Sequence, residues 1–173
     1  MESNNYCEVL VKVQATKMER LLAKLLWIMM AVYFVVGVIW NVLFLLLGVV
    51  FLVLALVWKR RLALEYEYQY LDGTLQVDKI IDMKKRKKCG RYDVENLCVM
   101  APEGDEHLTP YLNRKDARMV DYTSRSQNGE SRYVAVYRGK GEHCCATLEP
   151  TDKLVQLMWR SAPGKVIRKR KEY

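Results

Sequence analysis

The longest apolar stretch of the chain runs from Leu25 to Trp58 and contains no Asp, Glu, Lys, Arg or His. Uncharged apolar segments of roughly 18 or more residues are typical of membrane-spanning helices. As one helix rising ~1.5 Å per residue, this stretch would be about 51 Å long, whereas a hydrocarbon core is roughly 30 Å thick. Tilting absorbs only part of the excess. The pattern therefore predicts two spans, at about 20–39 and 42–58, with a short turn near Asn41.

Basic residues flank the apolar stretch on both sides. Lys17, Arg20 and Lys24 precede it, and three more follow it at Lys59, Arg60 and Arg61. Basic residues next to membrane helices remain on the cytoplasmic side. A hairpin of two helices satisfies this rule at both ends, with residues 1–19 and both termini in the cytoplasm. The alternative is one long tilted span, which would place the rest of the chain outside.

After Arg61 the apolar residues recur at every second position instead of at helical spacing. Tyrosines alternate with Glu and Gln up to Leu71. Such alternation indicates a half-buried strand, and Asp72-Gly73 is a hairpin-turn pair. Residues 7–13 alternate as well and are open to two interpretations, a strand or an interfacial helix. Met83–Lys88, which contains five successive basic residues, is predicted as a connection between strands. Seven strands are predicted, at Leu62–Leu71, Thr74–Ile81, Cys89–Tyr92, Val94–Met100, Arg118–Ser124, Arg132–Arg138 and Glu142–Glu149.

A helical period returns near the end of the chain. Apolar residues at helical spacing follow Pro150-Thr151-Asp152, and Pro163-Gly164 marks the end of the segment. We therefore predict an amphipathic helix at 151–162 and a basic tail at 165–173. With the hairpin at 20–58, this leaves one small domain at 62–164.

The formal net charge of +8 is unevenly distributed. Residues 62–173 contain 21 Lys and Arg and 17 Asp and Glu, and ten of the basic residues lie in two short stretches, at 84–88 and 165–171. Without these stretches the segment is acidic. Basic clusters beside a membrane segment attract anionic lipid, and they are also found where proteins bind nucleic acid, which a membrane hairpin disfavours.

The pattern of chemically reactive residues gives no catalytic or metal-binding motif. The five Cys show no CxxC spacing, and the two His form no HxxxH or HExxH. There is no glycine loop for phosphate and no nucleophile motif. Alternating Tyr residues such as Tyr66, Tyr68 and Tyr133 are interpreted as packing residues rather than as a stacking platform for nucleic acid. We therefore expect no enzymatic activity, no metal and no cofactor.

Seven short antiparallel strands followed by one amphipathic helix resemble the element order of a pleckstrin-homology-like (PH-like) barrel over Leu62–Gly164. The chain also resembles an uncharacterised family of small Gram-positive membrane proteins, a domain of unknown function. The stretches that carry this second resemblance are Glu8-Val9-Leu10-Val11-Lys12, Glu65-Tyr66-Glu67-Tyr68 with Gly73-Thr74-Leu75 and Val77-Asp78-Lys79-Ile80, and Val99-Met100-Ala101-Pro102-Glu103-Gly104. The resemblance implies an α+β fold in which the hairpin precedes a small antiparallel seven-stranded barrel closed by the C-terminal helix, but it implies no activity.

We expect from these patterns a membrane-anchored binding or scaffold module on the cytoplasmic face, contacting anionic lipid and a protein partner. The alternative is an accessory subunit of a larger membrane complex, such as a transporter or an envelope-stress system. In an antiparallel meander, the turn at 83–88 and the closing helix would both return to the bilayer. The residues expected to contact lipid are Lys59, Arg60, Arg61, Lys84, Lys85, Arg86, Lys87, Lys88, Lys165, Arg168, Lys169, Arg170 and Lys171.

Overall fold

Two long apolar helices form a hairpin in the computed structural model, which describes residues 5–114, 117–126, 132–139 and 142–169. Helix α1 is Lys17–Ile39 and helix α2 is Val42–Leu62. Thr16 and Glu19 form a capping box at the start of α1, and Asn41 caps α2 by accepting a hydrogen bond from the Leu43 amide. Both helices are long and apolar enough to cross a membrane. The predicted pair of helices and the turn near Asn41 agree with these bounds.

The hairpin helices approach closely near their turn. A Cβ added to Gly37 would lie 2.7 Å from the backbone nitrogen of Leu45, so only glycine permits this approach. Further down the hairpin, the rings of Tyr33 and Phe51 stack with their centroids 5.2 Å apart. At the base, the Trp58 Nε1 donates to the Glu19 carbonyl over 3.3 Å. The two ends of the hairpin therefore lie side by side.

The first sheet contains four antiparallel strands in the order β1-β2-β3-β4, with bounds Tyr6–Lys12, Leu64–Leu71, Thr74–Ile81 and Lys85–Asp93. Strand β1 precedes the hairpin and pairs with β2, which follows it, with Val9 opposite Tyr68. Cys7, Val9 and Val11 are buried, whereas the residues between them are exposed. Residues 7–13, which the sequence left open, therefore contribute an edge strand, and the β domain draws chain from both sides of the hairpin.

The second sheet has the order β5-β7-β8-β6, with bounds Leu97–Pro102, Tyr133–Arg138, His143–Leu148 and Ala117–Asp121. Strand β6 runs parallel to β8, and the other ladders are antiparallel. A short helix, α3 at Thr109–Leu112, lies in the connection between β5 and β6. The predicted turn at Asn128-Gly129 lies outside the described residues.

Helix α4, Asp152–Ser161, closes the core that the two sheets share. Thr151 caps it through the amide of Leu154, and Leu154, Val155, Leu157 and Met158 are buried. These side chains join one cluster with inward residues of both sheets, including Tyr68, Leu75 and Leu148. Tyr68 and Tyr133 are buried, and the partly buried Tyr66 packs against the same cluster, as expected for packing residues.

The expectation of a fully antiparallel, seven-stranded barrel is wrong, although a C-terminal helix closes the core as expected. The described residues contain eight strands in two separate sheets, and one pair of strands is parallel. The prediction counted only strands after Arg61 and therefore omitted β1. It also assumed that each strand pairs with the next one in the chain. In the structure β5 pairs with β7 and β6 pairs with β8, so each of these two pairs skips one strand of the sequence.

Candidate functional site

One end of the β domain lies against the base of the hairpin, and we call it the hairpin-proximal end. Strand β2 starts here directly after α2, and the turn between β3 and β4 returns here. The Asp82 amide donates to the Ala63 carbonyl over 2.9 Å, and Arg60 Nε lies 3.8 Å from Asp82 Oδ2. Arg125 Nη1 lies 3.6 Å from Glu19 Oε1 at the start of α1. These contacts fix the domain against the helix ends.

Exposed basic side chains surround this junction and form what we call the basic collar. Its members come from the start of α1, the end of α2, the β3–β4 turn, the first residue of β4 and the segment after β6. Positive charges this close together reinforce each other's potential and attract anions. The collar consists of Lys17, Arg20, Lys59, Arg60, Arg61, Lys84, Lys85 and Arg125.

An apolar side chain projects from the same end. Met83 is 78% exposed at the tip of the β3–β4 turn. Asp82 and Met83 have φ values of 54° and 53°, in the left-handed region that residues with a Cβ seldom adopt. The turn is closed by the Lys84 amide, which donates to the Ile81 carbonyl. Sequence reasoning did not select Met83, although a lone apolar residue between Asp82 and a basic run was its visible signal.

The basic stretch 84–88 was predicted to be a connection between strands. In the structure it is mostly the first half of strand β4. Lys85, Arg86, Lys87 and Lys88 pair with the second half of β3, and all four are exposed. The turn itself contains only Asp82, Met83 and Lys84. Basic charge therefore starts beside the hairpin and continues up the edge of the sheet.

Arg86 differs from its neighbours because it has a buried partner. Its Nη2 lies 2.8 Å from Glu67 Oε2, and the Glu67 side chain is only 3% exposed. Burial raises the pKa of Glu67, and the adjacent Glu8 carboxyl raises it further. The pKa of Glu8 is lowered, chiefly by the hydrogen bond that the Tyr6 hydroxyl donates to it. Arg86 thus balances a carboxylate that would otherwise be buried without a cation.

The second basic stretch is held within the β domain. Residues 165–167 add to the free edge of β5, because the Met100 amide donates to the Lys165 carbonyl and the Ile167 amide donates to the Met100 carbonyl. Val166 is 4% exposed. The Arg168 guanidinium lies 4.2 Å from the centroid of the Trp159 ring. This part of the tail is therefore integrated into the fold.

Helix α4 does not return toward the hairpin, contrary to expectation. Its start follows Glu149, whose carboxylate accepts from Ser124, and the Ser124 carbonyl accepts from the Gln14 amide beside the hairpin base. At its other end, the Tyr70 hydroxyl donates to Ser161 Oγ over 2.6 Å. The helix thus runs away from the hairpin because β8 ends at the proximal side.

The structure accordingly divides the residues expected to contact lipid. Lys59, Arg60, Arg61, Lys84 and Lys85 come together at the hairpin-proximal end. The residues from 86 to 88 continue along β4. Lys165 lies at the far end, where its Nζ donates to the Glu95 carbonyl over 3.0 Å. The backbone amide of Lys169 donates to the Tyr133 hydroxyl. Arg170 and Lys171 lie outside the described residues.

A cleft of about 720 Å³ opens at the hairpin-distal end, between the β2–β3 turn and the end of α4. Arg91, Arg160 and Lys165 line it together with Asp93 and Glu95, so its charges are mixed. Arg91 and Lys165 already have partners there, at Asp93 and at the Glu95 carbonyl. The cleft therefore has no clear preference for one sign of ligand.

The cysteine and histidine side chains form no metal centre among the described residues. Cys7 and Cys145 are buried, Cys98 and Cys144 are partly buried, and Cys89 is exposed on β4. His107 Nδ1 lies 2.6 Å from Asp105 Oδ1 on an exposed turn. The hydrogen bonds from His107 lower the pKa of Asp105, that from its backbone amide most strongly. These groups are dispersed over the domain.

The family called Bacterial PH-like domain (DUF6106) matches residues 3–168, a range that includes β1, the hairpin and α4. Comparisons with curated proteins and with solved structures gave no match. The matched range agrees with a domain that is built from chain on both sides of the hairpin. The chain therefore belongs to the bacterial PH-like domain family DUF6106.

Proposed function

We propose that the chain is a non-enzymatic binding module, anchored in a membrane by α1 and α2, whose basic collar contacts the anionic leaflet. The observation that carries the proposal is the pairing of β1 with β2. These strands flank the hairpin and form one ladder, so both ends of the hairpin must lie on one side of a membrane. This geometry favours two spans over one, because a single span would separate the two strands.

The charge of the collar supports the cytoplasm as that side. Basic residues at helix ends remain cytoplasmic, and each Lys or Arg near an anionic surface contributes about 1 kcal/mol of attraction. Residues 6–12 and the β domain would then face the cytoplasm with both termini. Reporter fusions after Asn41 and at Tyr173 test this topology, with an external location expected for the first and a cytoplasmic location for the second.

Met83 gives the proposed contact an apolar component. The exposed thioether lies at the tip of the β3–β4 turn, next to Lys84 of the collar, at the end of the domain that lipid headgroups would meet. A flexible apolar side chain of this kind can enter such an interface without burying a charge. Lys165 at the hairpin-distal end lies outside this proposed contact.

The test uses the full chain with Cys89→Ser and Met83→Cys, labelled at position 83 with an environment-sensitive fluorophore. In nanodiscs we expect the emission to shift to the blue when anionic phosphatidylglycerol is mixed into phosphatidylcholine. Adding Arg61→Gln, Lys84→Gln and Lys85→Gln should abolish the shift, and high salt should reduce it.

A label at Asp72→Cys, on the hairpin-distal turn, provides the matched control and should respond to neither lipid. Equal emission from position 83 in neutral and anionic nanodiscs would refute lipid docking. An external location for Tyr173 would refute the topology on which it depends.

A further inference from the structure

We propose that the free edge of β4 binds an extended acidic segment of a partner protein as an additional strand. This inference rests on the binding-module function proposed above and identifies the chemistry of its protein partner. Exposed sheet edges bind extended peptides through backbone hydrogen bonds, while side chains supply specificity. The argument concerns the part of β4 beyond the collar, from Arg86 to Arg91.

The outer edge of β4 has no partner within the part of the chain that the structure describes. Beyond the ladder to β3, no backbone hydrogen bond there involves residues 85–93. The edge of β5 differs, because residues 165–167 pair with it. Strand β4 has nine residues, whereas the edge strands β1 and β6 have seven and five. Strand β4 therefore presents the longest open template for another strand.

The charge on this edge selects the sign of the partner. Arg86, Lys87, Lys88 and Arg91 are all exposed, and Arg86 and Lys88 share the outer face of the sheet with Glu67. A second copy of β4 would oppose these cations with its own, and like charges on paired strands repel. An acidic strand would instead neutralise them. The edge thus disfavours self-association and favours an acidic occupant.

A bulge in β4 further restricts the kind of partner that can pair with this edge. The register between β3 and β4 shifts after Val77, so that Gly90 faces Val77, Lys88 faces Asp78 and Cys89 is the extra residue. Bulges on edge strands increase the local twist and hinder regular sheet-to-sheet aggregation. A short flexible segment can follow that twist, whereas the flat edge of another folded sheet cannot. The occupant is therefore an extended peptide segment.

The distance along β4 separates this site from the proposed lipid contact. At ~3.3 Å per residue, Lys88 lies about 10 Å and Arg91 about 20 Å beyond Lys85 along the strand. Electrostatic attraction to an anionic leaflet is screened over roughly 8 Å at physiological ionic strength. The collar therefore faces the leaflet, while the upper part of β4 remains available to an acidic segment.

The experiment measures binding of a fluorescein-labelled peptide that alternates Glu with Val over about eight residues, the length of the strand. The full chain is held in nanodiscs of phosphatidylcholine alone, so that no anionic lipid competes. We expect saturable binding by fluorescence anisotropy that weakens with salt, and slower amide hydrogen exchange in residues 85–91. The same peptide with alternate backbone amides N-methylated keeps its charge but loses its donors, and should bind at least about ten-fold more weakly.

Protein variants test the charges without touching the Arg86–Glu67 pair. Lys87→Glu with Lys88→Glu should weaken peptide binding by about ten-fold or more. Lys153→Glu with Arg138→Glu changes the charge equally at exposed positions on α4 and β7, and should leave binding unchanged. An unchanged affinity in the β4 variant would overturn the proposed site.

The remaining outcomes separate this inference from lipid docking. Equal binding of the methylated peptide, or no binding of either peptide, would overturn edge pairing. Loss of peptide binding on adding phosphatidylglycerol would also overturn it, because the membrane surface would then occupy the edge. In each case the emission of the label at position 83 still reports lipid contact independently. A peptide that binds in the absence of any lipid response would leave the partner site standing and remove the lipid function.

Discussion

The two basic stretches of this chain have similar composition but different structural surroundings. Residues 84–88 lie on an open strand edge, and four of the five are on β4 with their side chains in solvent. Residues 165–169 run beside β5 with Val166 buried between them. The charges of the first stretch therefore lie in solvent beside an open backbone edge, whereas the second stretch belongs to the fold. Charge density alone does not distinguish the two; the state of the backbone beside the charges does.

The largest expected effect follows from the buried position of Val166 in the second stretch. Val166→Asp would place a carboxylate in the core without a partner, and we expect it to lower the free energy of unfolding by about 3 kcal/mol or more. Val166→Ala should cost less, about 1–2 kcal/mol. Urea unfolding of the full chain in neutral detergent, followed by circular dichroism, measures both. Wild-type stability in Val166→Asp would mean that the tail is not part of the core.

A smaller effect is expected for Arg86, the one member of the first stretch with a buried partner. Arg86→Gln should lower the free energy of unfolding by about 1–2 kcal/mol at neutral pH, because the Glu67 carboxylate loses its cation. The expected loss is limited because solvent screens the Arg86 side chain, which is 54% accessible. Lys88→Gln is the control on the same face and should have little effect.

The pH dependence of Arg86→Gln follows from the pKa of Glu67. Burial raises that pKa above 4.5 in the folded protein, so folding takes up a proton and stability falls as pH rises through the interval above 4.5. Losing Arg86 raises the pKa further. The defect should therefore be present at pH 7 and smaller at pH 4.5, the ordinary value that the pKa of Glu67 exceeds, where Glu8, with its lowered pKa, is still mostly charged. A defect of equal size at both pH values would contradict this explanation.

The smallest effect on stability is expected for the lysines of the first stretch. Lys85→Gln, Lys87→Gln and Lys88→Gln together should change the free energy of unfolding by no more than about 0.5 kcal/mol, since exposed side chains without buried partners contribute little. The same triple variant should retain the unfolding cooperativity of the wild type. A loss of more than about 2 kcal/mol would place these side chains in the fold and remove the contrast with the tail.

Much of the hairpin was predictable from sequence. An uncharged apolar run that is too long for one span, with Asn41 near its middle, already determines two helices and their turn. Strands β2 and β3 were equally accessible, because their alternation and the Asp72-Gly73 pair are local signals. In each of these cases the partner lies next in the chain, so no long-range information was needed.

The first half of β4 could not be recognised as a strand from local pattern. Four successive cations show no apolar alternation, because this part of the edge strand is exposed on both faces. The pairing of β1 with β2 was hidden by the hairpin between them. Likewise, Val166 and Ile167 give too short an apolar signal to reveal that Met100 is their neighbour. Each failure involves a contact between residues that are distant in sequence.

The position of β1 ahead of the hairpin affects the order in which the domain is assembled during synthesis. About fifty residues separate Lys12 from Leu64, so at roughly 5–20 residues per second the ribosome needs several seconds to deliver the partner of β1. Until then Val9 and Val11 have no sheet to join. In the anchored state proposed here, the first ladder forms only if both helices have been inserted. A chain with one helix in the wrong orientation would hold β1 across the bilayer from β2. Its β domain would lack an edge strand, and the core residues that β1 covers would be exposed.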